Sequence, residues 1–317
     1  MRSFAVQAPS GVVMIRPHHF TPNPETAADN VFQTADGLRS ASEISKAAYD
    51  EVTRMAGQLR EAGVTVHLFE DEGVETPDSV FPNNWFSTHA GGHVALYPMF
   101  NPSRRRERRA DVIEMLKTRY RVQDVIDYSG LEPDNVFLEG TGAMVLDHIG
   151  RIAYAARSNR TNEVALERFC THFNFEPMLF EAADANGRKI YHTNVIMCVG
   201  TEIALVGLDT IVDPARRAEV RSRLEETGRA VVALSHAQIA EFAGNALELR
   251  GDRGRFLAIS ARAAASLTSE QRDRIASVTP ILPIEVPTIE LAGGSVRCML
   301  AGIHLAERAG PAAALSA

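Results

Sequence analysis

The sequence predicts an α/β fold built from five copies of one ββαβ unit, the fifth completed jointly by the two chain ends. Two observations carry this. One order of patterns recurs along the chain: a polar residue opens an apolar strand, then come a turn, a second strand, an amphipathic helix and a third strand. The opening residues are Asn84, Glu139, His192, Asn245 and Cys298, which stand 55, 53, 53 and 53 residues apart. So regular a period across 317 residues marks one repeated architecture.

The N-terminal segment lacks an opening strand. It supplies the strand VVMIRP at 12–17, a helix over 40–62 with apolar residues at helical spacing and Gly63 as its stop, and the strand TVHLFE at 65–70. The unit opened by Asn84 reads WFST, HVALYP, a helix over 104–119 and RVQDVI. After Glu139 come AMVLD, the turn HIG, RIAYAA, the helix EVALERFCTHF and the strand PMLFEA. Thr161 or Asn162 caps that helix, and Glu163 sits in the first turn, where the helix dipole favours an acid. After His192 come NVIMCVG, EIALVGL, a helix from Pro214 to Gly228 with the usual Pro-first, Gly-last asymmetry, and AVVALS. Asn245 opens ALEL, RFLAIS and a helix around 268–278. Only a stub of strand follows Cys298, so the chain ends must close the fifth unit. A ring of five such units turns its opening residues toward a central opening, and Cys298, His192 and Glu139 converge there.

Composition narrows the function. With 45% hydrophobic and 23% charged residues the chain has a normal soluble balance, and one domain spanning 1–317 is expected, its last ten or so residues a loose tail. Cys170, Cys198 and Cys298 show no C-x-x-C spacing, which argues against a disulfide framework or a thiolate metal site and suits a reducing compartment. No apolar run is long enough to cross a bilayer, so a cytoplasmic protein without a membrane partner is expected. A net charge of -7 argues against a nucleic-acid partner, and the basic run SRRRERR at 103–109 reads as a solvated helix face. His18, His19, His89 and His93 read as loop or strand residues rather than metal ligands, Met197 and Cys198 as strand core, and Cys170 as the apolar face of its helix. No metal and no organic cofactor is expected, and a homodimer is the default for a soluble enzyme.

The runs GTGAMVLD after Glu139, YHTN at 191–194, PDSVFPNN at 77–84 and the terminal cysteine resemble the guanidino-group-modifying superfamily of arginine deiminases, dimethylarginine hydrolases and amidinotransferases. The resemblance spans nearly the whole chain and implies the five-bladed α/β propeller, or pentein, fold. Within it, RPHHFTPNPETAADN at 16–30, SVFPNNWFSTH at 79–89 and FLEGTG are most similar to the bacterial citrulline-utilisation hydrolases.

A guanidino or ureido carbon is deactivated by resonance, so its hydrolysis calls for a nucleophile. Cys298 would attack that carbon, while His192 protonates the departing amine and then deprotonates water. Glu139 would hold the substrate's terminal nitrogens; the resemblance assigns the same three roles. It also implies a carboxylate where this chain has Asn84, and in the deiminases and amidinotransferases another where it has Asn194. A guanidinium wants anions, whereas a neutral ureido group suits an amide that both donates and accepts. Hydrolysis of citrulline to ornithine, ammonia and carbon dioxide is therefore the first expectation, although Asp78 and Glu139 remain acidic and Asn83 with Asn84 could simply cap a turn. The alternatives are a guanidino hydrolase, deiminase or amidinotransferase acting on arginine or a relative, and a non-catalytic binding protein like the ribosome anti-association factors. The resemblance matches Arg104 and Arg160 to the arginines that bind the α-carboxylate in dimethylarginine hydrolases, a task suited to the planar guanidinium. Phe20 and Asn23 are expected at the entrance, and Asn245 has only a hydrogen-bonding role.

Overall fold

The protein, described by a computed structural model, is defined over residues 6–308 apart from residues 29 and 35. The expected loose tail lies outside the described residues. The N-terminal part forms β1 (Gly11–Pro17), α1 (Ala41–Glu61) and β2 (Thr65–Asp71). Next come β3 (Phe86–His89), β4 (His93–Leu96), α2 (Pro102–Arg105), α3 (Ala110–Arg119) and β5 (Asp124–Asp127). The third group is α4 (Gly140–Ala143), β6 (Met144–Asp147), β7 (Ile152–Ala156), α5 (Glu163–Phe173) and β8 (Glu176–Phe180). The fourth is β9 (Met197–Val199), β10 (Ile203–Val206), α6 (Pro214–Glu226), β11 (Ala230–Ala233) and α7 (His236–Ala240). The last contains β12 (Leu247–Gly251), β13 (Gly254–Ser260), α8 (Ala261–Ser266), α9 (Ser269–Ala276) and β14 (Ile281–Ile284), and is followed by β15 (Ala301–Gly302).

The strands make five three-stranded sheets of one topology, in which a middle strand runs antiparallel to the strand before it and parallel to the strand after the helix. The fifth sheet obeys the same rule with pieces from both ends: β1 is antiparallel to β15 and parallel to β2. This is an α/β fold of repeated ββαβ units, with the hydrogen-bond ladders of the described strands contained within each sheet.

Alternation along the strands feeds two cores at once. Val12 and Met14 of β1 pack with α1, Leu249 and Ala258, whereas Val13 and Ile15 pack with Phe86, Val94 and Ala301. Met144 and Leu146 join Ala95, Tyr97 and Phe169, while Val145 joins Leu205 and Ile259. Each sheet is thus sealed against its neighbours by side chains from both faces. The α1 stripe of Ile44, Ala48, Val52, Met55 and Leu59 is buried at helical spacing, and burial of its larger members contributes roughly 1.5–3 kcal/mol each. Its first turn is held by a Ser40–Glu43 capping box. Asn162, one of the two expected caps, accepts from Val164 N–H. Among the described residues no helix is long and apolar enough to cross a membrane.

Three expectations require correction. The helix read over 104–119 is broken into α2 and α3, and the basic run is not a solvated face. Arg104 is only 2% exposed, Arg105 and Arg108 reach the carbonyls of Met99 and Tyr97, and Arg109 reaches that of Glu70. Those carbonyls lie before α2 and in β2, so the arginines fold back over neighbouring backbone instead of facing water. The helix read over 268–278 is shorter, as α9, and α8 precedes it directly after β13.

Candidate active site

The opening residues sit where a turn delivers a side chain away from the sheet. Asn84 ends a 3-10 turn begun by Pro82, Glu139 precedes the one-turn α4, and His192 precedes a 3-10 turn over Thr193–Val195. Thr193 anchors that turn by donating to Ala143 C=O at 2.5 Å and accepting from Ala156 N–H at 2.7 Å. Between the turns stands Gly142, where a Cβ would lie 2.2 Å from the Asn84 amide and 2.9 Å from the His192 ring. Only glycine permits the two to approach.

His192 Nε2 lies 2.8 Å from Glu139 Oε2, and Phe100 N–H donates to the other carboxylate oxygen at 3.0 Å. Burial alone would raise the Glu139 carboxyl, but Arg160, the His192 bond and Arg104 outweigh it and hold the acid well below the usual range. Burial lowers His192 to about 4 against the opposing pull of Glu139. The resting imidazole is therefore neutral, and the ionised carboxylate fixes its proton on Nε2. Cys298 Sγ accepts from Asn194 Nδ2 at 3.2 Å and from Asn245 Nδ2 at 3.1 Å. Asn245 is itself fixed by Arg297 N–H, which donates to its Oδ1 at 3.1 Å.

Arg104 forks onto Glu107 with both contacts at 2.9 Å, and stands 3.6 Å from Asp78 and 3.5 Å from Glu139. With its amide oxygen toward Arg104, Asn84 accepts from both terminal guanidinium nitrogens at 3.1 and 3.0 Å. Arg160 lies over the Tyr191 ring at 4.6 Å, with a terminal nitrogen 3.6 Å from Glu139. Burial raises the Asp78 carboxyl, opposed by Arg104 and by Asn23, which donates to it at 2.8 Å.

Asp78, Asn84, Arg104, Arg160, His192 and Cys298 line one cavity of about 20 Å³, room for about one water. The stretch between β1 and α1 covers it: Asn30 Nδ2 donates to Ala292 C=O at 2.9 Å and Thr34 N–H to Leu291 C=O at 2.9 Å. Of the residues expected at the site, Glu139, Asn194 and Asn245 touch the cavity-lining groups, and Asn23 stands behind Asp78. Asn83 is buried beside Asn84, its backbone oxygen accepting from Thr141 at 3.3 Å. Phe20 is not at an entrance; it is fully buried in the core with α1, its backbone tied to Ser45. Sequence reasoning missed Glu107, Tyr191, Thr26 and Asn30. Glu107 carries a faint signal, a lone acid three residues after Arg104 within a basic run.

A buried thiol held by two amide donors, with a histidine–carboxylate pair at the same small cavity, defines the class as a cysteine-nucleophile hydrolase on a pentein-type α/β scaffold. The chain belongs to the N,N dimethylarginine dimethylhydrolase family in its eukaryotic form, whose profile matches residues 16–305, and so to the wider guanidino-modifying superfamily. No curated protein sequence matches significantly. Among solved structures, the N-terminal domain of ArgZ, in a form covalently bound to a reaction intermediate, is 16% identical with a TM-score of 0.71, covering 93% of this chain and 99% of that one. Full-length ArgZ, an arginine dihydrolase from the ornithine-ammonia cycle in cyanobacteria, is 17% identical with a TM-score of 0.72, covering 95% of this chain and 41% of that one. The dimethylarginine hydrolase of Pseudomonas aeruginosa, as a variant complexed with citrulline, is 12% identical with a TM-score of 0.61, covering 93% and 99%.

Proposed function

We propose that this chain hydrolyses the terminal carbon of an arginine-type side chain, with a guanidino group as its substrate. The observation that carries the reading is the small cavity shared by Cys298, flanked by two amide donors, and the His192–Glu139 pair. Neutral His192 takes the thiol proton as sulfur bonds to the carbon, and gives it to the ammonia that leaves as the C–N bond breaks. His192 then takes a proton from water, whose oxygen displaces sulfur to leave the ureido product. Glu139 keeps the ring oriented and accepts from the substrate's N–H groups. Arg160, at the cavity wall, is assigned the α-carboxylate. Arg104, whose fork is engaged by Glu107, is assigned to hold Asn84.

The guanidino substrate takes precedence over the ureido one, reversing the order expected from the sequence. The solved relatives are named for arginine chemistry, and the ionised Glu139 carboxylate beside the cavity offers the anion that a guanidinium cation wants. The second reading, hydrolysis of a ureido group, is favoured by the amides at Asn84 and Asn194 and by Asn194 Oδ1, a buried acceptor without a hydrogen-bond partner. One cysteine acting twice would join the two, since hydrolysis of a guanidino group leaves a ureido group. The contiguous cores, which link each sheet to the next and the last to the first, support a single domain arranged as a five-bladed ring.

The test is a product assay on arginine and on citrulline, with Cys298→Ala as control. Ammonia and citrulline from arginine, lost in the variant, are expected. Ornithine from citrulline supports the second reading, and ornithine from both supports sequential hydrolysis. No product from either overturns the arginine-type assignment.

A further inference from the structure

Arg297 precedes the nucleophile yet faces the other way. Cys298 looks into the cavity with His192, while Arg297 lines a separate cavity with Gln7, Thr88, His148, Cys198 and His304. Arg297 is 8% exposed, its Nε has no hydrogen-bond partner, and its guanidinium makes no ion pair among the described residues. Every other fully buried arginine of the described chain faces a carboxylate: Arg104 has Glu107, Arg160 has Glu139 and Arg229 has Asp147. An isolated charge withdrawn from water is costly, and the ordinary remedy is a counter-charge.

The surroundings supply polarity without supplying that charge. His148 and His304 stack with ring centroids 4.0 Å apart, and the polar groups of Gln7 and Thr88 are occupied by backbone partners. Burial keeps both histidines well on the neutral side; the His304 ring is hydrogen-bonded to the Val6 backbone, which leaves the His148 ring with one N–H to donate. The cavity measures about 40 Å³, more than a single water requires and too little for an amino acid or a nucleotide.

We infer that this cavity is a binding site for a small inorganic monoanion of chloride size, held by the Arg297 guanidinium beside the His148–His304 pair. The anion neutralises the one buried arginine left without an ion-pair partner among the described residues. It lies on the reverse side of the segment that carries the nucleophile, independent of the substrate cavity.

Two measurements test this on the whole protein. Crystals grown in sodium bromide, measured at the bromine absorption edge, should show an anomalous peak within hydrogen-bonding distance of Arg297; bromide found only on the exposed surface overturns the site. In solution, Tm compared between sodium chloride and sodium gluconate at equal ionic strength should rise saturably with chloride by about 2 °C or more, and Arg297→Gln should abolish that difference. Equal Tm in the two salts for the native chain, or an undiminished chloride effect in the variant, also overturns it.

Discussion

His192 shows how one buried residue couples chemistry to pH. Its ring is pulled down to about 4, chiefly by burial, with Glu139 working in the opposite direction. Because the folded value lies below the ordinary 6.5, the unfolded chain takes the proton first. This residue's contribution to stability is therefore complete above about pH 6.5 and is lost at about 1.4 kcal/mol per pH unit as pH falls toward 4. In a histidine-labelled NMR titration the His192 Cε1–H resonance should stay in its neutral position through pH 6 and move only near pH 4; a midpoint near 6.5 would remove the neutral-base role. The two other cysteines make the contrast at the thiol. Burial pushes Cys170 and Cys198 up to about 12, whereas Cys298 alone receives two amide donors. His192, Glu139 and Cys298 were legible in the sequence because their spacing is a one-dimensional signal. The amides on Cys298 were only half legible: the spacing exposed Asn245, but its bond to sulfur arises across 53 residues through the turn geometry.

Among the elements, the turns before the first strands do most to set the site, and Gly142 is their tightest point. Gly142→Ala would put a methyl group into the Asn84 amide and the His192 ring, forcing apart groups that must stay within a fraction of an ångström. The expected result is a fall in kcat/KM of about 100-fold or more with an unchanged far-UV circular dichroism spectrum. Retained activity would mean that the two turns are free to shift. The basic stretch around α2 teaches the complementary lesson. Composition and charge density describe it as exposed, and Arg106, paired with exposed Glu75, is indeed outside. Arg104 is drawn inside because Asp78 and Glu139 from two distant segments meet it beside its local partner Glu107, and only the last of these is recorded in a local pattern. Phe20 went astray for a similar reason: its motif marks a family loop but not the direction of a single ring.

Across the whole molecule, the strength of the sheet-to-sheet joints decides cooperativity. Asp147 at the end of β6 takes the fork of Arg229, which leads into β11, with contacts of 2.6 and 2.8 Å, and both side chains are fully buried. Arg229 also donates to Gly200 C=O at 2.6 Å, so the pair clasps the third and fourth sheets together. A separation of 82 positions along the chain hides the pair from sequence reading. At the next joint Arg255 meets Glu202 at 2.7 Å, but that pair is partly open to water. A buried charge deprived of its partner costs about 3–5 kcal/mol, an exposed pair at most about 1 kcal/mol. Asp147→Asn should therefore lower Tm by about 5–8 °C, and Glu202→Gln by no more than about 2 °C. Differential scanning calorimetry decides the matter. Similar small shifts in both variants would mean that the joints are carried by the apolar cores alone, while a large shift confined to Asp147→Asn, with one transition preserved, would mean that loosening one joint loosens all five sheets together.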